Sequence, residues 1–391
     1  MKFLPFLVLP LAACSGISIR TDFEGGSLGK VEQVSETHFR CAVAGQADQN
    51  GRNRQASWYF FRLDGAKGRE VTITMTDLRG EYNFKPGGLC VRDDTPPVIS
   101  SDGKTWRHLG EKNEFAKDEA TFKVTPESDT LWIAHIEPYT ASRLDRFLGE
   151  IRSSPHLKDD VIGKTVEGRD LHLLTITESP GAPVVWLMCR QHAWETGTSF
   201  VGEGAIRFLL SAEARPLRQK LVFKILPMVD PDGCARGGVR FNRHGYDVNR
   251  NWDSADPENP DSRRLMPEIC AAKKAITGPW AVFLTLHNQE SGEWLSSSEK
   301  HQAVADRLFA VLQQKSTFNP SEKGPRPPGP KYTPGRATVY EYLDREKGLP
   351  AFLMEQGITR SSKLGRLPTS QDRLEFGKQL IQVLADVALG R

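Results

Sequence analysis

Residues 182–210 read APVVWLMCRQHAWETGTSFVGEGAIRFLL. An apolar run ending at Cys189 gives way to Arg190, Gln191 and His192, then to Glu195, and a helical pattern follows from Gly197. A run without polar alternation suits a strand buried on both faces, and the helix behind it suits one unit of an α/β sheet. Three further runs of this kind are KLVFKILPMV (220–229), WAVFLTLH (280–287) and PAFLME (350–355). Between and after them lie amphipathic segments, DSRRLMPEICAAKKAI (261–276), HQAVADRLFAVLQQ (301–314) and SQDRLEFGKQLIQVLADVAL (370–389). The alternation predicts an α/β domain over 151–391, a mixed sheet flanked by helices. STFNPSEKGPRPPGPKYTPGR (316–336) is too rich in Pro and Gly for regular structure and reads as a long surface loop.

Upstream the period is different. REVTITMTDL (69–78) alternates, and SWYFFRLDG (57–65) and DTLWIAHIEPY (129–139) are aromatic-rich, with SSDGKTW (100–106) as a turn. This predicts a small all-β sandwich over 36–150. Ser142 and Asp145 resemble a capping box for a helix leading into the second domain. Residues 14–35, polar and containing glycine, read as a tether. Residues 1–13 read as a signal peptide, and Leu11-Ala12-Ala13-Cys14 resembles a bacterial lipobox, with Cys14 the lipidated residue. That resemblance implies a periplasm-facing lipoprotein of the bacterial cell envelope. Ser15, not Asp, follows Cys14 and points to the outer membrane.

At 391 residues the chain accommodates two domains, and a net charge of +3 without a basic, aromatic-rich run argues against a nucleic-acid partner. Contact with a membrane is expected only through the anchor on Cys14. Beyond Cys14 five cysteines remain; Cys41 and Cys90 could pair, and the absence of CxxC argues against a cysteine-rich metal site.

A His and a Glu three apart, His192 and Glu195, bind metal only occasionally. His287, at the end of a second apolar run, completes a set of two His and one Glu suited to a catalytic Zn²⁺, one per chain. Between these runs lies VDPDGCARGGVRFNRHGYDVNRNW (229–252). It resembles the zinc metallocarboxypeptidases, whose pattern here runs NPDG, GRxN, DLNRNF. Asp230-Pro-Asp-Gly, Arg240-Phe-Asn242 and Asp247-Val-Asn249-Arg250-Asn251-Trp252 stand at those places. The resemblance implies that Asn249 and Arg250 hold a substrate's terminal carboxylate, that Arg240 stabilises the oxyanion, and that Asp247 supports His192. It also implies that Glu355, in GLPAFLMEQGI (348–358), is the base. The sandwich followed by EPYTASRLDRFLGEI (137–151) is similar to the branch called cytosolic carboxypeptidases.

Asp230 departs from the family's Asn, and the lid tyrosine could be Tyr332, Tyr340 or Tyr342. Arg336, with Lys323, Arg326 and Lys331, could favour acidic C-terminal residues. The function implied is a zinc carboxypeptidase acting on peptide or protein C-termini. The alternatives are a carboxypeptidase or amidase acting on peptidoglycan stem peptides at the same site, and an inactive binding or scaffold lipoprotein.

Overall fold

The computed structural model describes residues 16–327, 329 and 332–391; the signal peptide, Cys14 and Lys331 lie outside the described residues. Two five-stranded sheets build the first domain. One comprises Ser18–Arg20, Phe60–Asp64, Thr130–Ala134, Val98–Ser100 and Arg107–His108. The other comprises Glu114–Ala116, Glu119–Val124, Val71–Thr76, His38–Ala42 and Val31–Ser35. Phe61, Leu63 and Ile133 of the first meet Ile73, Met75 and Phe122 of the second in one core. That is the sandwich expected from alternation, with every second side chain buried in strands such as His38–Ala42 and Glu119–Val124. A four-stranded sheet of short strands, including Gln46–Ala47, accompanies it.

Three expectations need correction here. The segment read as a tether supplies an edge strand to each sheet, Ser18–Arg20 against Phe60–Asp64 and Val31–Ser35 against His38–Ala42. Ile17, Ile19 and Leu28 pack on the sandwich core, and that burial outweighs the polar composition around them. Cys41 and Cys90 are separate free thiols. Cys41 sits within a sandwich strand, its thiol pushed up to about 12 by burial, whereas Cys90 follows the short-strand sheet. The helix Ala141–Ile151 is capped by Thr140, whose side chain accepts from the Arg143 N–H, and not by Ser142.

The second domain is built on a seven-stranded mixed sheet. Its order is Leu157–Lys164, Asp170–Ile176, Val222–Leu226, Val184–Met188, Val282–Gln289, Ala351–Gly357, Trp294–Leu295. The four apolar runs form the parallel centre, and antiparallel strands close both edges. Val185 and Leu187 enter the core on one face, Trp186 and Met188 that on the other, so both faces are covered. The hairpin Leu157–Lys164/Asp170–Ile176 was not read from sequence; its outer strand carries the adjacent Asp159 and Asp160 on opposite faces, which blurs the period. The segment 261–276 divides into Pro260–Leu265 and Pro267–Ala275. Pro267 disfavours helical geometry in the residue before it, and Met266 leaves the helix at φ −133°, ψ 51°.

Thr196–Leu210 and Ser370–Ala388 cross at Gly204 and Gly377. A Cβ at either would overlap the other helix's backbone, at the Leu374 or the Val201 carbonyl. This close crossing seats Thr196–Leu210, and with it the adjoining Glu195, against the sheet. Among the described residues no helix is long and apolar enough to cross a membrane.

Candidate metal centre

The strand Val184–Met188 ends in a tight turn made by Arg190, whose φ is +57°. Its buried guanidinium braces that turn, donating to the Ala193 carbonyl from Nε (2.9 Å) and Nη2 (2.7 Å) and to Ser199 Oγ from Nη1 (3.0 Å). The braced turn brings His192 and Glu195 beside His287, on the next strand. One ligand atom from each residue lies within 4.8 Å of the others. His192 Nδ1 is 2.7 Å from Glu195 Oε1, and His287 Nδ1 is 2.9 Å from Glu195 Oε2.

The outer nitrogens are held too. His192 Nε2 lies 3.1 Å from Asp247 Oδ1, and His287 Nε2 lies 3.2 Å from Gln191 Oε1. At His192 the carboxylate acceptor at Nε2 selects the tautomer that leaves Nδ1 free to bind a cation. Burial works to raise the Glu195 pKa, but His192 and His287 outweigh it and pull the group down to about 2. Burial pushes the His287 pKa down; at His192, Glu195 and Asp247 overcome burial and raise it. Glu195 Oε2 is sealed from solvent and accepts no hydrogen bond. An ionised, unsatisfied oxygen facing a ring nitrogen is a group that a cation between them would satisfy, so the residues fit zinc.

Glu355 stands next to His287 because the strands Val282–Gln289 and Ala351–Gly357 pair in parallel with these residues in register. Its Oε2 is sealed and unpartnered. Burial first, and Glu195 second, push its pKa well above the ordinary range. Asp247 joins the centre to an arginine, its Oδ2 accepting from Arg240 Nε at 2.7 Å. Arg250 is pushed down by burial, and Arg240 and Arg336 add repulsion. Arg250 thus lies within the field of both Arg240 and Arg336. Arg336 is presented on a fixed backbone: Asp253 accepts from the Gly335 N–H (2.6 Å) and the Ala337 N–H (3.1 Å), and Asn251 Nδ2 donates to the Gly335 carbonyl (2.6 Å).

The sequence model described as zinc carboxypeptidase matches residues 145–293, and that described as cytosolic carboxypeptidase N-terminal domain matches residues 19–136. Residues 145–293 thus match a zinc carboxypeptidase domain, and residues 19–136 a cytosolic carboxypeptidase N-terminal domain. It is 32% identical over 256 residues to cytosolic carboxypeptidase 6 of Mus musculus, covering 60% of this chain and 46% of that protein. It is 27% identical over 344 residues to an uncharacterized protein of Zymomonas mobilis, covering 85% of this chain and 81% of that one. The chain thus spans about half the length of cytosolic carboxypeptidase 6. In fold it is similar to the metallo-carboxypeptidase of Burkholderia cenocepacia, with a TM-score of 0.82 at 23% identity, covering 96% of this chain and 99% of that one.

The remaining sequence candidates sort as follows. Asn249 is 2% exposed and its amide is engaged, Oδ1 accepting from the Val339 N–H (3.0 Å) and Nδ2 lying 3.1 Å from His287 Nε2. Tyr342 is buried against Trp252 and under Lys273, a core position that does not suit a lid. Tyr332 donates to Glu346 Oε1 at 2.5 Å. Tyr340 lies within the field of Arg250, its hydroxyl pushed up to about 12 chiefly by burial. Arg326 is paired with Glu322 and stacked on Trp294. Gln191, Asn251 and Asp253 were missed as supports, although Gln191 sits beside a ligand and Asn251 lies inside the motif itself.

Asp230, in place of the family's Asn, caps Pro231–Arg236 by accepting from the Gly233 N–H at 2.9 Å. Its other oxygen is buried without a partner. Burial, followed by repulsion from Glu268, raises its pKa to about 7. The folded state then holds a proton that the unfolded chain, with a carboxyl pKa of about 4, has released. The stability from Asp230 is present below pH 4 or so and is lost as pH rises through about 7. Asp230→Asn is expected to stabilise the protein by about 1–3 kcal/mol at pH 8 and by little near pH 4, as urea unfolding at both values would measure.

Proposed function

We propose that the protein is a zinc-dependent carboxypeptidase that removes the C-terminal residue of peptides or proteins and prefers an acidic one. The observation carrying this reading is the His192, Glu195, His287 set with the half-buried Glu355 in register beside His287, Arg240 joined to the set through Asp247, and Arg250 in the field of Arg240 and Arg336. Zinc held by His192, Glu195 and His287 would supply Lewis-acid polarisation of a carbonyl and acidification of water. Glu355, reluctant to stay ionised, accepts a proton from the attacking water and delivers it to the leaving amine. Arg240, oriented by Asp247, faces the oxyanion as the carbonyl becomes tetrahedral. Arg250 grips the terminal carboxylate with charge-assisted hydrogen bonds, and Asn249 backs the same wall. Arg336, on its fixed backbone, receives the acidic side chain.

The test uses peptides that differ only in the last residue, with muropeptides offered in parallel. Peptides ending in Glu or Asp are expected to show kcat/KM at least about tenfold above those ending in Leu or Lys. Arg336→Gln brings the two classes within about threefold. Equal rates across all last residues in the parent would remove the acidic preference, and cleavage of muropeptides alone would transfer the substrate to the cell wall. Export and lipidation at Cys14 are proposed on the lipobox resemblance.

A further inference from the structure

The strand Gln46–Ala47 belongs to the first domain, yet the Gln46 side chain is spent entirely on the second. Its Oε1 accepts three successive backbone N–H groups, those of Val239 (2.9 Å), Arg240 (2.7 Å) and Phe241 (2.9 Å). Its Nε2 donates to the Phe241 carbonyl at 2.7 Å. Three consecutive N–H groups converging on one point form a nest, a cradle that elsewhere takes an anion and here holds a neutral carboxamide. Val239 and Phe241 are each 2% exposed, so without Gln46 these donors would be buried and unpaired.

The same segment is tied at other points. Val239 accepts from the Trp194 N–H at 3.0 Å, which links it to the loop carrying His192 and Glu195. The Gly245 carbonyl accepts from the Gln49 N–H at 3.1 Å, again from the first domain. Gly237, at φ +69°, lies so close to the Gly25 and Gly26 carbonyls that a Cβ would overlap them. Arg240 therefore has its backbone fixed by Gln46 and its guanidinium fixed by Asp247. A donor that stabilises developing charge acts well only if it is in place beforehand, which requires both ends to be held.

We propose that Gln46 is a positioning residue for Arg240, so that the first domain completes the active site of the second through one side-chain amide. The proposal rests on the reading of Arg240 as the oxyanion group. Four zinc-loaded, full-length proteins test it: the parent, Gln46→Leu, Arg240→Ala and the double variant. In Gln46→Leu, amide exchange at residues 239–241 should quicken at least about tenfold while the strand Val282–Gln289 stays protected. Its kcat should fall about 10- to 100-fold with KM within about threefold of the parent. In the Arg240→Ala background the same change should cost less than about twofold, because its target is gone. Unchanged exchange at 239–241, or an equal kcat loss in both backgrounds, would overturn the proposal. Should Gln46→Leu fail to fold, Gln46→Asn withdraws the oxygen by one methylene and takes its place in both arms. If the parent hydrolyses no peptide, the carboxypeptidase reading falls, while the exchange comparison still decides whether Gln46 holds the segment.

Discussion

Glu355→Gln is expected to lower peptide hydrolysis about 10²- to 10⁴-fold while bound zinc stays at the parent level. Glutamine fills the same space next to His287, so the strand pairing and the ligand set persist. What disappears is a group able to take a proton and return it. The parent's pH profile carries the second half of this prediction. Burial and the neighbouring Glu195 raise the pKa of Glu355, and a base must be deprotonated to act. The acid limb of kcat/KM should therefore rise with pH through a value above the ordinary glutamate pKa of about 4.3. Steady-state rates between pH 4 and pH 9 or so, with zinc measured on the same samples, check both points. Full activity in Glu355→Gln would exclude it as the base.

The His192→Ala/Glu195→Ala double variant should bind almost no zinc, against about one per chain in the parent. Two of the three ligands are lost, and the remaining imidazole of His287 is a weak site alone. Elemental analysis after gel filtration reads this directly. A chelator added to the parent should abolish hydrolysis and lower the unfolding temperature, because a cation that binds the folded state stabilises it by mass action. In the double variant the chelator should change nothing. A folded, metal-supplemented parent without zinc would end the peptidase mechanism and favour a binding role.

His192, Glu195, His287 and Glu355 were legible in the chain for one physical reason. Each is a titratable residue at or just beyond the end of an otherwise apolar run, and such a run has few reasons to end in a buried ligand or acid other than chemistry. The central strands were legible because both faces are covered, so their composition is mostly apolar. The edge strand Leu157–Lys164 was not, since its charges fall on both faces and the period is lost. The sandwich edges Ser18–Arg20 and Val31–Ser35 were hidden similarly, in a stretch whose polar residues masked the few apolar ones that anchor it.

By itself the sequence determined the two-domain order, the parallel core of the sheet and the donor types at the site, because these follow from local composition and from what each side chain can ligate or titrate. Only the tertiary structure decided which partners those residues meet. Strand register placed His287 beside Glu355, and the packing of one domain on the other carried Gln46 to the backbone of Arg240. It also kept Cys41 and Cys90 apart as free thiols and engaged the Asn249 amide on both sides. The residues in these pairings lie far apart along the chain, and no local pattern encodes a partner that only the folded chain brings within hydrogen-bond distance.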